Sequence, residues 1–269
     1  MALPPASSKS AALITGASSG IGTEIARELA RRGYGVVLVA RRTDRLQEIA
    51  TELSADHGVR AEVLSADLGD AAARDRLATE IDALGLEVEV LVNNAGYGDN
   101  ARLNSADREN VLAMVRLNCE ALLDLQARYS PGMVERRRGA ILNVASTAAF
   151  QPMPGTATYA ATKAFVLSLS EGTHAEVKGM GVTVTALCPG PVRTEFAEIA
   201  GIGGAEDSLP NVFWMTAEEV AKAAVAGLES GKRVVIPGMI NRATAVGGQH
   251  TPRALALPLI KRAWGAAGR

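Results

Sequence analysis

Aromatic residues are scarce in this chain: Phe, Trp and Tyr together make up 4% of its 269 residues. Hydrophobic residues nevertheless reach 48%, so the core must be built from Ala, Val, Leu and Ile. That mix suits helices packed on a buried parallel sheet. Cysteine is rarer still. Cys119 and Cys188 lack metal-ligand spacing and form no framework of the secreted kind, which makes them core thiols by expectation. Net charge is nearly absent, with 28 Lys plus Arg against 29 Asp plus Glu. No basic field, and no basic cluster interleaved with aromatics, invites nucleic acid. The run Arg136-Arg137-Arg138 reads as a solvated helix end, where positive charge complements the helix dipole. No window holds the roughly 20 apolar residues of a membrane span, and residues 1–10 carry no apolar stretch of signal-peptide length. No ligand cluster suggests a metal. A soluble, cytoplasmic protein is expected.

What the chain does contain is a regular alternation of short apolar runs with amphipathic stretches. Strands are expected at residues 11–15, 36–40, 61–65, 88–92, 140–144, 182–187 and 233–236. Helices are expected at about 20–32, 44–56, 71–84, 105–136, 159–177 and 216–229, the last opened by the capping box Thr216-Ala-Glu-Glu219. Seven buried strands separated by helices make βαβ units. The expected fold is therefore α/β, a doubly wound parallel sheet of Rossmann type with helices on both faces. Residues 1–8 read as a flexible tail and 9–269 as one domain, with a substrate lid at about 191–215 and a C-terminal extension from about 239.

Thr15-Gly-Ala-Ser-Ser-Gly-Ile-Gly22 joins the first strand to the first helix. Gly16, Gly20 and Gly22 permit a tight turn and a close approach of backbone to a diphosphate, and Ser18, Ser19 and Ile21 complete the loop around it. The helix N-terminus adds amide donors and a favourable dipole. The second strand ends Val39-Ala40-Arg41-Arg42, with no acid before Asp44. Arg41 and Arg42 offer guanidinium donors to a ribose 2′-phosphate, which favours NADP(H), with NAD(H) as the alternative cofactor. Asp67 and Leu68 follow the third strand, where Asp67 can meet the adenine edge. Asn93-Asn94-Ala95-Gly96 ends the fourth strand beneath the cofactor, although Asn93 can equally tie strand ends together through its amide.

Tyr159 and Lys163 stand four residues apart, on one face of a helix. A phenol beside an ammonium is a proton donor whose acidity the positive charge draws down from roughly 10. Taken alone, the pair is common on helices. However, Ser146 lies just past the fifth strand and Pro189-Gly190 just past the sixth, so all these residues are expected on one edge of the sheet.

Thr15 to Gly22, residues 93–96, Asn118, Ser146, Tyr159-x-x-x-Lys163 and Pro189-Gly190-x-x-x-Thr194 together resemble the short-chain dehydrogenase/reductase family over roughly residues 9–237. The resemblance implies an NADP(H)-dependent oxidoreductase that interconverts a carbonyl and an alcohol. It implies Tyr159 as proton donor, Ser146 as hydrogen-bond partner of the same oxygen, and Lys163 as the group that holds the ribose and lowers the tyrosine pKa. Asn118 is implied as the holder of a proton-relaying water, and Pro189, Gly190, Val192 and Thr194 as neighbours of the nicotinamide. Blander roles remain open: Ser146 as a strand-end cap, Asn118 as partner of a buried backbone group, and Thr194 as an N-cap. A homodimer or homotetramer through the long helices is also implied, with no metal in the chemistry.

The expected substrate walls include Tyr97, Phe150, Met153, Phe196, Ile199, Ile202, Trp214 and Met215, with few fixed charges, which favours a small to medium, mostly apolar ketone, aldehyde or acyl chain. The stretch Gly201-Ile-Gly-Gly204 reads as a mobile lid. The tail, with Leu255, Leu257, Leu259, Lys261, Arg262 and Trp264, can cover a neighbouring subunit or lie weakly on a lipid surface. His174 falls mid-helix, outside the expected chemistry, as a surface or subunit-contact residue. The alternative reading is an NADP-binding sensor or scaffold that keeps the fold without turnover.

Overall fold

In the computed structural model, which describes residues 3–196 and 210–267, the apolar runs become strands and the amphipathic stretches cover them. The first half runs β1 (Ser10–Thr15), α1 (Gly20–Arg31), β2 (Gly35–Ala40), α2 (Thr43–His57), β3 (Ala61–Ser65), α3 (Ala71–Ala83) and β4 (Glu87–Asn93). It continues through α4 (Arg108–Val115), a π-helical turn (Arg116–Ala121), α5 (Leu122–Glu135), β5 (Gly139–Val144), a 3₁₀ turn (Thr147–Phe150), α6 (Ala157–Glu176) and β6 (Val182–Leu187). After β7 (Val192–Arg193) come β8 (Met215–Thr216), α7 (Ala217–Glu229), β9 (Val234–Val235), α8 (Met239–His250) and α9 (Arg253–Ala267).

Among the described residues, seven strands form one parallel sheet in the order β3-β2-β1-β4-β5-β6-β9. Side chains alternate between its faces. Ala12, Ile14, Leu38, Val92 and Leu142 share one core with Ile25, Leu29, Val220 and Ala224 of α1 and α7. Ala11, Leu13, Val37, Leu91 and Ile141 share the other with Leu77, Ile81, Leu125 and Met133 of α3 and α5. Because both faces are covered, the strands carry continuous apolar runs. The order reverses between β1 and β4, where the loops leaving the two strands diverge and open a crevice.

This is the doubly wound, single-domain fold expected, and the differences are local. The 105–136 stretch is not one α-helix: it starts at Arg108 and its ladder is interrupted by the π turn. β9 holds two residues rather than four, and the short parallel pair of β7 with β8 carries no periodic signal in so few residues. The arginine run is only partly a solvated end. Arg137 takes a left-handed conformation at φ 51°, and Arg138 pairs with Glu89, which is wholly buried in β4. His174 does more than face solvent, since its Nδ1 donates to the Val184 carbonyl at 2.7 Å and pins α6 to β6. Cys188 is a core thiol, whereas Cys119 is only half-buried.

A buried polar network missed in the sequence lies under the site. Asn93 and Asn143 are paired in register on β4 and β5, and Asn93 Nδ2 donates to Asn143 Oδ1 at 2.9 Å. Asn143 Nδ2 in turn donates to Gln126 Oε1 at 2.7 Å and to Ser170 Oγ at 2.9 Å. Asn93 therefore ties strand ends together. Asn143→Ala should strand its buried partners and lower stability by about 3 kcal/mol, to be measured by urea denaturation.

Candidate active site

The crevice at the strand reversal is built around Thr15 and Asn94. Thr15 Oγ1 donates to the Val92 carbonyl and accepts the amides of Asn94 and Ala95, both at 3.0 Å. The Asn94 Nδ2 group returns bonds to the carbonyls of Thr15 and Gly16 at 2.9 and 3.1 Å. Gly16 and Gly20 have φ of 64° and 57°, and a Cβ on Gly22 would lie 2.4 Å from the Gly16 carbonyl oxygen. Ser19 begins α1 without a side-chain cap, and the first turn holds no acid. The α1 amides thus face the crevice without a carboxylate competitor, as a diphosphate requires. The glycine turn, residues 16–22, therefore fits a dinucleotide.

Around this turn, Arg41, Arg42, Asp67, Leu68, Ala95, Gly96 and Val192 line one cleft of about 2280 Å³. Arg42 Nε donates to Ser18 Oγ at 3.2 Å. Asp67 turns its Oδ1 back to the Gly69 amide at 3.0 Å, and Leu68 is held from behind by the buried Arg74. Thr194 packs its methyl group on Gly20, while its hydroxyl accepts the Phe196 amide at 3.3 Å, the local turn role left open for it. Pro189 accepts the Thr147 amide at 2.9 Å. Gly190 lies so close to Asn241 of α8 that a Cβ would meet that side chain at 2.5 Å.

The same cleft receives Ser146, Tyr159 and Lys163. Ser146 caps the 3₁₀ turn, its hydroxyl accepting the Ala148 amide at 3.1 Å. Lys163 lies in the second turn of α6, where its Nζ donates to the Val144 carbonyl at 2.8 Å and sits 5.7 Å from the Tyr159 ring centre. Burial pushes the Lys163 ammonium down to about 8. Burial also pushes the Tyr159 phenol up to about 12, against the lowering effect of the Ser146 hydroxyl. The acidification expected from Lys163 is therefore not the dominant effect on Tyr159 in this structure, because loss of solvent outweighs it.

Asn118 occupies the π turn and is 1% exposed. Its Oδ1 accepts the Tyr97 amide at 3.1 Å, and its Nδ2 donates to the Tyr97 carbonyl at 2.9 Å and to Thr162 Oγ1 at 3.1 Å. The side chain thus satisfies buried backbone groups, the blander role left open for it, and it clamps the β4 loop to α6. A π turn also opens the helical backbone ladder at this residue.

Of the expected substrate walls, Tyr97, Met153, Phe196 and Trp214 line the cleft. Phe150 does not. It turns into the apolar cluster of Leu122, Val166 and Cys188, because the 3₁₀ turn directs it toward α6. Ile199, Ile202 and the Gly201–Gly204 lid lie outside the described residues. The cleft also takes in Arg102, Arg116 and Lys261, so its walls are less free of charge than the sequence implied. Arg102 lies five residues beyond Tyr97, an expected wall residue. By contrast, nothing local in the sequence brings Lys261 of α9 or Thr244 of α8 to the cleft.

A family model described as short chain dehydrogenase matches residues 10–201. The chain belongs to the short-chain dehydrogenase family. Like its relatives in that family, it is an oxidoreductase acting between alcohol and carbonyl groups. It is 34% identical over 233 residues to the very-long-chain 3-oxoacyl-CoA reductase of Anas platyrhynchos, covering 84% of this chain and 72% of that protein. Several other vertebrate reductases of that name are matched over only 61% of their length. The NADP-dependent 3-hydroxy acid dehydrogenase YdfG of Escherichia coli is 34% identical over 216 residues, 78% of this chain and 86% of that one. Among solved structures, a short-chain dehydrogenase from Sphingobium yanoikuyae in complex with NADPH superposes with a TM-score of 0.78. It is 36% identical, with 96% of each chain covered.

The depressed Lys163 pKa has a measurable consequence for this short-chain dehydrogenase. Lys163 holds its proton less tightly in the folded than in the unfolded chain between about pH 8 and 10.5, so its own contribution to stability is lowest below that window and rises through it. The raised Cys188 thiol opposes this gain above about pH 9, so the contribution of Lys163 is read as a difference: between pH 7 and pH 9.5 the stability of the wild type relative to Lys163→Met should rise by about 2 kcal/mol, measured by urea denaturation.

Proposed function

We propose that the protein is an NADP(H)-dependent reductase of a ketone or 3-oxoacyl-type carbonyl, with Tyr159 as the proton donor. The observation that carries this reading is the meeting of Ser146, Tyr159 and Lys163 in the same cleft as the glycine turn. Bound NADPH supplies the hydride. The Ser146 hydroxyl and the Tyr159 phenol would hydrogen-bond one substrate oxygen, stabilising negative charge as it develops there. Tyr159 then gives that oxygen its proton. Lys163, held by the Val144 carbonyl, would bond the cofactor ribose, and an added anionic neighbour would favour its charged form and help Tyr159 to ionise. Asn118 fixes the β4 loop against α6, and the π turn leaves its backbone open to a relay water.

Arg41 and Arg42 support the choice of NADP(H), as do relatives and neighbours named for NADP or NADPH. Met153, Phe196 and Trp214 suit an apolar body close to Tyr159, while Arg102, Arg116 and Lys261 can accommodate an anionic end. An acyl chain on a charged carrier satisfies both, and the names of the 3-oxoacyl-CoA reductases agree with it. A homo-oligomer is supported by the exposed Val115, Leu123 and Phe165 on the α4 to α6 surface. A cytoplasmic location accords with the finding that no described helix is long and apolar enough to cross a membrane.

Tyr159→Phe should bind NADP+ as the wild type does. It should lower NADPH oxidation with a panel of ketones and 3-oxoacyl thioesters by about 10³-fold or more. Equal turnover by the two proteins would remove Tyr159 from the chemistry. Absence of turnover in both, with NADP+ bound, would favour a sensor.

A further inference from the structure

Three consecutive residues beyond β7 touch three separate working parts of the cleft. Thr194 places its methyl group against Gly20 of the phosphate turn, so closely that a Cβ there would lie 3.0 Å from it. Glu195 Oε2 accepts from Arg42 at 2.9 Å. The Phe196 ring centre stands 5.8 Å from that of Tyr159, tilted by 50°. Residues 194–196 therefore strap the cleft from its adenosine end to its chemical end, and the fastening at the adenosine end is an ion pair.

That ion pair uses the guanidinium argued above to recognise the ribose 2′-phosphate. Arg42 presents Nε to Ser18 and one terminal nitrogen to Glu195, so it is aimed at the cleft by two partners, one neutral and one negative. A phosphate bearing up to two negative charges and a carboxylate cannot share one guanidinium without repulsion. The pair is about half exposed at both ends, with side chains 47% and 48% accessible, which makes it weak enough to exchange. Resting on the NADP(H) reading, we propose that Glu195 is a specificity-determining residue. Its carboxylate occupies Arg42 as an internal competitor, which a 2′-phosphate displaces and a free 2′-hydroxyl does not. NADP(H) then enters by exchanging one ion pair for another, and the strap is unfastened from Arg42 only when the phosphate is present. NAD(H) leaves the Arg42 to Glu195 pair closed.

The test is equilibrium binding, by calorimetry, of NADP+, NAD+ and adenosine 2′-monophosphate, a probe that ends at the adenosine and cannot reach Tyr159. Glu195→Gln should tighten NADP+ and adenosine 2′-monophosphate by about threefold, the scale of an exposed ion pair, and leave NAD+ unchanged. In an Arg42→Ala background, adding Glu195→Gln should have no further effect on either phosphate-bearing ligand. The inference is overturned if Glu195→Gln leaves adenosine 2′-monophosphate binding unchanged. It is also overturned if NAD+ tightens by the same factor, or if the gain persists without Arg42. An Arg42→Ala protein that still binds NADP+ as the wild type does would instead remove the cofactor reading beneath it.

Discussion

The clamp between the end of β1 and the end of β4 governs the site. Parallel strands leave their loops free at the carboxyl edge, and at the reversal between β1 and β4 those loops run apart. Thr15 and Asn94 hold them together through five hydrogen bonds that join a side chain of one strand end to the backbone of the other. Only glycine fits where they meet, because a Cβ on Gly16 or Gly22 would strike Asn94. The clamp thus sets the phosphate turn and the path of the β4 loop at once.

From the clamp, a contiguous chain of contacts reaches the chemistry. A Cβ on Gly96, which ends the clamped segment, would lie 2.8 Å from Asn118 Oδ1, so the loop can approach the π turn only through a glycine. Asn118 bonds to Thr162, and Thr162 donates to the Tyr159 carbonyl at 2.8 Å. Lys163 follows, anchored on the last residue of β5. The tyrosine is therefore positioned by the β4 loop, the π turn and the end of β5, which have no sequence proximity. The polar network of Asn93, Asn143, Gln126 and Ser170 stiffens the floor beneath them, since buried hydrogen bonds in a low-dielectric core tolerate little displacement.

Electrostatics add a second layer. Burial disfavours charge on both Tyr159 and Lys163, raising the phenol and lowering the ammonium. A desolvated pair of this kind responds strongly to any anion or dipole brought into the cleft, because little water screens the interaction. Residues 194–196 run along the same cleft, with Glu195 on Arg42 and Phe196 beside Tyr159.

The sequence by itself determined the sheet, the glycine turn and the pairing of Tyr159 with Lys163 on one helix. These are legible because continuous apolar runs, turn glycines and i, i+4 spacing are local rules, readable at Ile14, Gly20 or Tyr159 without knowledge of the rest. Tertiary structure decided what each polar side chain does once it has a choice of partners. Asn118 became a clamp on Tyr97, and Asn93 became a strand tie. Arg138 became the counterion of a buried glutamate, and Phe150 became core rather than wall. Lys261 and Thr244 reached the cleft only because α8 packs over the 3₁₀ turn and brings the C-terminal segment with it. Hydrogen bonds and ion pairs across 20 to 200 residues of chain carry no periodic signal, since their partners are set by packing and not by spacing.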